Sequence, residues 1–171
     1  MTQTQPFETD SRTVTWATPG QGDLTRLLEL DGLGQLEAMR AGELPPPPIM
    51  DTLGMTDMRV ERGRVVVEMP AAEFHYNPLG SVHGGVISTL LDTAAACSVH
   101  TTLAVGELYT SVDLTVKFLR PVTVGSGLLT CEGTVISRGR RTALAQAQLT
   151  DEAGRLVAHA TSTCLIMRAG D

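Results

Sequence analysis

An aspartate stands in one of the most apolar stretches of this sequence. Asp92 directly follows Leu90 and Leu91 and precedes three consecutive alanines at 94–96. An ionised carboxylate is costly to bury without a partner, so an aspartate in such a helix is expected to have a specific role. In a partly dry cleft it would be a general base or a nucleophile. The alternatives are a structural pairing with a basic group or a position facing water.

A pair of glycines precedes this aspartate at the start of the same predicted helix. Gly84 and Gly85 follow His83, and Gly84 lies eight residues before Asp92. Glycine at the start of a helix lets the backbone turn sharply and lets a ligand approach the first free N–H groups. Those N–H groups, at the positive end of the helix dipole, are suited to stabilising a developing oxyanion. The alternative is that the motif only forms a tight turn into a buried helix.

The histidine before the glycines has two chemical interpretations and one structural interpretation. His83 could be a general base or a metal ligand, but His75 is eight residues away and His100 is seventeen away. These spacings disfavour a metal site. We therefore expect His83 to support the loop by hydrogen bonds.

Three arginines share one predicted hairpin turn of an otherwise acidic protein: Arg138, Arg140 and Arg141. Such a cluster is either a solvated turn or a patch that binds phosphate groups. Because side chains alternate along a hairpin, the three cannot all point the same way. We expect at most two of them to contact phosphate.

The N-terminal part of the chain has its own pattern. Residues 1–23 are polar and predict a loose arm, and the leucine spacing over about 24–44 predicts a helix. This helix must end before the four prolines at 45–48, which form a stiff connector. We therefore place a boundary near residue 50, between an N-terminal part (1–50) and a folded domain (51–171).

Beyond this boundary the pattern indicates strands around one helix, in the order ββ-α-ββββ. Short turns join consecutive strands, which predicts antiparallel hairpins, and one buried helix must cover the apolar face of the sheet. The expected class is α+β. The predicted strands cover 58–60, 64–69, 111–119, 128–137, 142–150 and 156–167, and the helix covers about 86–103.

These residues together resemble a known family. Asn77, the sequence His83-Gly84-Gly85, Asp92, the segment Tyr109-Thr-Ser-Val-Asp-Leu and the segment Phe118-Leu-Arg-Pro-Val are similar to those of the PaaI-like hotdog-fold acyl-CoA thioesterases. The resemblance covers about residues 50–168. It implies a long central helix wrapped by a curved antiparallel sheet, in agreement with the order of elements. It also implies hydrolysis of acyl-CoA to free acid and CoA, without a cofactor.

The resemblance also implies roles for individual residues. Asp92 corresponds to the catalytic carboxylate, and Gly84 to the residue whose backbone N–H polarises the thioester carbonyl. Asn77 corresponds to a side chain that helps to hold the carbonyl or the attacking water. Ser111 corresponds to a hydroxyl that positions water. One extra residue separates Asp92 from this serine, so Thr110 is the alternative.

Two groups of site residues are therefore expected, with no metal among them. The catalytic group comprises Asp92, Gly84, Asn77, Ser111 and His83. The substrate-binding group comprises Gly85, Thr110, Arg138, Arg140 and Arg141.

Partners and rival functions follow from the same resemblance. In the family, the carboxylate and the glycine loop of one active site come from different subunits, so we expect a homodimer or a homotetramer. One rival function is an enoyl-CoA hydratase of the same fold, which would need an aspartate–histidine pair on one face of the substrate. The other rival is a non-catalytic acyl-CoA-binding protein.

The composition excludes several classes of protein. Acidic residues outnumber basic ones 19 to 13 in the 171-residue chain, so a global basic surface for nucleic acid or an anionic membrane is absent. No apolar run approaches the ~18 residues of a membrane span, and the N-terminus does not resemble a secretory signal. The three cysteines have no metal-ligand spacing and are typical of a reducing compartment. We expect a cytoplasmic protein that binds neither nucleic acid nor membrane.

Overall fold

The computed structural model describes residues 7–18 and 24–168. These residues form four α-helices and seven strands. Among the helices of these two ranges, none is long and apolar enough to cross a membrane. In chain order the elements are α1 (Leu24–Glu29), α2 (Gly32–Arg40), α3 (Pro48–Leu53), β1 (Asp57–Glu61), β2 (Arg64–Pro70), α4 (Gly84–His100), β3 (Glu107–Ser111), β4 (Thr115–Phe118), β5 (Leu128–Arg138), β6 (Thr142–Thr150) and β7 (Leu156–Arg168).

The seven strands form one antiparallel sheet. Their order is β1-β2-β5-β6-β7-β3, and β4 also pairs with β7. The long helix α4 packs against β2, β5, β6 and β7. The predicted α+β arrangement, with one buried helix across an antiparallel sheet, is confirmed.

The core lies between α4 and the sheet. Leu90, Ala94 and Ala95 of the helix are fully buried against it. Gly133 of β5 lies directly beneath the helix, and a Cβ atom at this position would overlap the Ala94 carbonyl. The small residues on both elements therefore let the helix approach the sheet closely, and this close packing sets the position of Asp92.

One predicted strand is divided in the structure. The segment predicted as a single strand over 111–119 forms the end of β3 and all of β4. The division occurs at Asp113, because its carboxylate Oδ1 accepts a hydrogen bond from the Thr163 backbone N–H at 2.9 Å. Its backbone carbonyl accepts a second bond, from the Ser162 hydroxyl at 2.8 Å. Local side-chain contacts thus replace the regular ladder, which the alternating pattern could not reveal.

The helix predicted over 24–44 is also divided. Helix α1 ends at Glu29, and Asp31 begins α2 as its N-cap, because the Asp31 carboxylate accepts a hydrogen bond from the Gly34 N–H at 2.8 Å. The proline connector is shorter than predicted, since Pro48 is already the first residue of α3. Proline suits this position because the first N–H of a helix has no intrahelical partner.

The polar arm predicted over residues 1–23 lies partly outside the described residues. Its described part, 7–18, forms neither helix nor strand. Arg12 joins this part to α3, because its guanidinium donates to the Asp51 carbonyl at 2.6 Å. The domain boundary near residue 50 stays a prediction.

Candidate active site

In the folded protein, Asp92 is hydrogen-bonded to a serine. Asp92 is half-buried near the middle of α4, and Ser111 is the last residue of β3. The Ser111 hydroxyl donates to Asp92 Oδ1 at 3.0 Å. Within residues 7–18 and 24–168, no cationic side chain lies within ion-pair distance of this carboxylate. The structural pairing with a basic group, considered above, is therefore absent from the described part of the chain.

The neighbouring threonine does not share this contact. Successive residues of a strand point to opposite faces. Thr110 is exposed, and its hydroxyl lies 3.4 Å from the Ser111 carbonyl rather than against Asp92. Of the two hydroxyls that the sequence left open, the structure brings that of Ser111 to the carboxylate.

The start of α4 has one backbone donor to which no described residue offers an acceptor. His83 is the N-cap, and its ring Nδ1 accepts the Gly85 N–H at 2.9 Å. The His83 carbonyl accepts the Val86 N–H at 2.9 Å. Among the described residues, no acceptor lies within hydrogen-bond distance of the Gly84 N–H. Gly84 thus presents a free donor at the helix N-terminus, whereas the Gly85 N–H is occupied by His83.

Asn77 shapes the loop that leads to these glycines. Its side-chain oxygen accepts the Leu79 N–H at 2.8 Å, and its amide nitrogen donates to the Ser81 hydroxyl at 3.1 Å. Asn77 and Gly84 line the same groove, which has a volume of about 400 Å³. The structure therefore brings together Asn77 and Gly84, two of the five predicted catalytic residues.

Among the groove residues that were not predicted as site residues, Phe118 lies directly against Gly84. The Phe118 ring packs on Gly84, so that a Cβ atom there would stand 3.2 Å from its Cζ. More than half of this side chain is exposed (55%). Alternation along the strand identifies Phe118 as apolar, but it cannot show that the ring covers a glycine loop instead of the core.

The open N–H and the carboxylate of one chain lie far apart. Gly84 and Asp92 are separated by eight residues of α4, which at 1.5 Å per residue is about 12 Å along the helix axis. A single reacting carbonyl needs both groups within hydrogen-bond distance, about 3 Å. One chain therefore cannot direct both groups at the same carbonyl.

One of the three arginines of the β5–β6 turn forms an ion pair, which separates it from the other two. Arg138 Nη2 lies 2.7 Å from Glu107 Oε2, and both side chains are largely buried. Arg140 and Arg141 are exposed, and together with Arg168 they line a cleft of about 500 Å³. Two of the three predicted phosphate-binding arginines thus face solvent in one cleft, and the third, at the end of β5, is paired with the first residue of β3.

The described residues contain neither a disulfide nor a metal-binding cluster. Cys97, Cys131 and Cys164 are free thiols. Burial raises the pKa of the Cys97 thiol to about 12, so this thiol stays protonated at neutral pH. No group of three histidine, cysteine or acidic side chains in the two described ranges could hold a metal ion.

Comparison with known proteins shows which family this chain resembles. A model of the Thioesterase superfamily matches residues 79–158. Human acyl-coenzyme A thioesterase 13 is 30% identical over 102 residues, which cover 59% of this chain and 71% of that protein. The 1,4-dihydroxy-2-naphthoyl-CoA hydrolase of Listeria monocytogenes is 25% identical over 120 residues, which cover 70% of this chain and 96% of that protein.

Solved structures give the same family. A phenylacetic acid degradation-related thioesterase from Ralstonia eutropha superposes with a TM-score of 0.69 at 33% identity, covering 75% of this chain and 97% of that one. The PaaI protein of E. coli superposes with a TM-score of 0.68 at 25% identity, covering 81% of this chain and 94% of that one.

Proposed function

Since this chain belongs to the thioesterase superfamily and hydrolyses thioesters, we propose that its substrates are acyl-CoA thioesters and that Asp92 and the Gly84 N–H perform the chemistry. The observation that carries this proposal is the 3.0 Å hydrogen bond between Ser111 and Asp92, the one acidic side chain of α4. A carboxylate held by a hydroxyl and without a cationic partner among the described residues is available to react with water or with a carbonyl carbon.

The reaction follows from the groups present. The thioester carbonyl oxygen accepts the Gly84 N–H, which stabilises the negative charge that develops on that oxygen. Asp92 Oδ1 is bonded to Ser111, so Oδ2 either removes a proton from water as the water attacks the carbonyl carbon, or attacks that carbon itself. In the second route, water then hydrolyses the resulting anhydride. In both routes the C–S bond breaks, CoA leaves as the thiolate and takes up a proton, and the acid is released.

Three further residues support this chemistry. The Ser111 hydroxyl donates its proton to Asp92, and its lone pairs can accept a hydrogen bond from the attacking water. Asn77 holds the loop before the glycines in its turn and lies in the groove of the Gly84 N–H. His83 caps α4 and so keeps the glycine backbone in place.

We propose that the active site is shared between two subunits of a homodimer, which can pair further into a tetramer. Because Gly84 and Asp92 of one chain are about 12 Å apart along the helix, the Gly84 N–H of one subunit would act with Asp92 of the other. The β3–β4 side of the sheet supports an interface there, since it exposes Leu108, Val112 and Phe118. Exposed apolar side chains near a sheet edge are typical of surfaces that another chain covers.

Mixed dimers test this shared site. An Asp92→Asn chain and a Gly84→Pro chain are each expected to be inactive, and co-expression with two different tags allows the mixed dimer to be purified. One of its two sites then combines an intact Gly84 with an intact Asp92, so we expect about half of the wild-type kcat. Mixed dimers that are no more active than either parent, or a monomeric mass in light scattering, would contradict the shared site.

We propose that the exposed arginines bind the nucleotide end of CoA. Arg140 and Arg141 lie in the same cleft as Arg168, and a local basic patch offsets the repulsion between phosphate groups and a chain of net charge −6. Arg138 is excluded from this role because it is paired with Glu107.

Replacing both exposed arginines should weaken binding without slowing the chemistry. We expect Arg140→Ala/Arg141→Ala to raise KM for acyl-CoA roughly ten-fold, the effect of losing one charged hydrogen bond of about 1.5 kcal/mol, with kcat little changed. The increase should shrink for a pantetheine thioester, which lacks the nucleotide. The double variant Arg59→Ala/Arg62→Ala, which changes exposed side chains of β1 and of the turn after it, removes the same number of positive charges and is the control. Equal losses on both substrates would show that the turn does not bind the nucleotide.

Release of free thiol from a panel of acyl-CoA thioesters tests the proposed function as a whole. We expect turnover with saturated substrates, whereas a hydratase would act only on enoyl-CoA and a binding protein would release no thiol. We also propose a cytoplasmic location, because three free cysteines are typical of a reducing compartment.

A further inference from the structure

A second cavity lies beside Asp92, and the proposed chemistry does not use it. Its volume is about 330 Å³, near the lower end of the range for small-molecule pockets, about 300–1,000 Å³. We call it the methionine pocket, because Met39, Met50, Met55 and Met58 line it together with Thr93 and Cys97 of α4. The four methionines come from α2, α3 and the chain around β1, and all precede the region that matches the family model.

The pocket is placed to receive a group attached at Asp92. Thr93 is the next residue along α4, and Cys97 lies five residues beyond Asp92, which is about 7.5 Å further from Gly84 of the same chain along the helix axis. A carbonyl carbon positioned at the carboxylate therefore has the pocket on the side away from this chain's own glycine loop, which in the proposed dimer serves the other active site. Of the two substituents on that carbon, the CoA sulfur leads to the nucleotide proposed for the Arg140–Arg141 cleft, so the acyl chain is the one left for the pocket.

The lining of the pocket indicates which acyl chains fit. Four of the seven methionines of the chain stand here, and flexible thioether side chains adapt to the shape of an aliphatic ligand. No aromatic side chain of the described residues lines the pocket, so none of them can stack on an aryl group held there.

The polar groups of the pocket do not offset this apolar character. The Thr93 hydroxyl already donates to the Thr89 carbonyl at 2.8 Å. The floor is Leu36, Met55 and Met58, none more than 9% exposed. The charged lining residues, Arg40, Asp51 and Asp57, are exposed or half-exposed. The pocket thus combines an apolar floor with charges that reach water.

We propose that the methionine pocket binds the acyl chain and selects unbranched aliphatic chains of medium length over aryl groups. This inference rests on the proposed function. Because a water molecule occupies about 30 Å³ in the liquid and a methylene group is of similar size, the pocket holds roughly ten such groups. Helix α2 and the prolines after it therefore act as the wall that sets the chain length.

Substitutions at Met39 test the assignment in opposite directions. For the wild-type protein, we expect kcat/KM to rise roughly four-fold per methylene from acetyl-CoA until the pocket is full, and octanoyl-CoA to exceed benzoyl-CoA. Met39→Trp should lower kcat/KM for octanoyl-CoA at least roughly ten-fold and leave acetyl-CoA within about two-fold. Met39→Ala should move the optimum to longer chains. Glu37→Trp, which places the same side chain on the exposed face of α2, is the control and should keep the wild-type profile.

Three results would overturn the assignment. The first is a wild-type preference for benzoyl-CoA over octanoyl-CoA. The second is that Met39→Trp and Met39→Ala, with unchanged melting temperatures, alter all chain lengths equally. The third is that Met39→Trp changes the mass in light scattering, which would show that the pocket receives a partner subunit. A wild-type protein that releases CoA from none of the thioesters would instead contradict the proposed function, and this inference with it.

Discussion

Replacing Asp92 with asparagine should lower kcat roughly 10²–10⁴-fold, the usual contribution of a positioned general base, while the protein stays folded. Asparagine has the shape of aspartate, and its side-chain oxygen can still accept the Ser111 hydroxyl that now bonds Asp92 Oδ1. The substitution removes only the negative charge and the basic or nucleophilic oxygen. Thiol release under saturating acyl-CoA measures the loss.

The stability of this variant separates a catalytic loss from a structural one. Asp92 is half-buried on an apolar helix, so removal of its charge should leave the melting temperature unchanged or raise it. Asp10→Asn, in the exposed arm, is the charge-matched control and should keep full activity. A folded Asp92→Asn protein with wild-type kcat would contradict the proposed mechanism.

Isotope labelling, together with mass spectrometry of the enzyme, tests whether Asp92 acts as a general base or as a nucleophile. A single turnover in H₂¹⁸O, with enzyme in excess, should place ¹⁸O directly in the acid product if Asp92 acts as a base. If Asp92 attacks the carbonyl and water then opens the anhydride at the Asp92 carboxyl carbon, an Asp92 oxygen passes to the acid, so the acid is unlabelled and Asp92 takes up the ¹⁸O. If water instead attacks the acyl carbon, the acid is labelled as in the base route, and mass spectrometry of the acid-quenched enzyme then distinguishes the two routes by the added mass of the acyl group.

Replacing Gly84 with proline should lower kcat roughly 10²–10³-fold, the cost of removing one oxyanion donor. Proline lacks the N–H, which at this position has no acceptor among the described residues. The helix tolerates the change, because Gly84 is the first residue of α4, where proline is favoured. His83 precedes it with φ −59° and ψ 136°, a conformation that a residue before proline readily adopts.

The matched control for this variant is Gly84→Ala. Both substitutions add a Cβ atom, which meets the Phe118 ring at 3.2 Å and makes that exposed side chain shift. Alanine retains the N–H, so the difference in kcat between the two variants reports the loss of the donor together with the proline Cδ atom that takes its place. Equal activities of the alanine and proline variants, with helical content unchanged by circular dichroism, would show that the Gly84 N–H does not stabilise the transition state.

The local pattern of the sequence was sufficient to predict much of the fold, and to single out Asp92 and Gly84 as candidate site residues. Alternation and helical spacing predicted an antiparallel sheet around one buried helix, and the structure confirms this arrangement. An aspartate among leucines and alanines, and a glycine pair at the start of the same helix, were visible without any structure. Such features are readable because they depend on residues within one or two turns of each other.

Contacts between segments that are distant in the sequence are determined by the tertiary structure and could not be predicted from local patterns. A shift of one residue in a strand turns each side chain to the other face, so the pairing of β3 with β7 determined that Ser111 and not Thr110 meets Asp92. Arg138 does not join the other two arginines in their cleft, because it is paired with Glu107, which lies 31 residues earlier in the chain. The methionine pocket likewise joins α2, α3, β1 and α4. Periodicity reports which face of an element is apolar, whereas the packing of the elements determines which side chains that face meets.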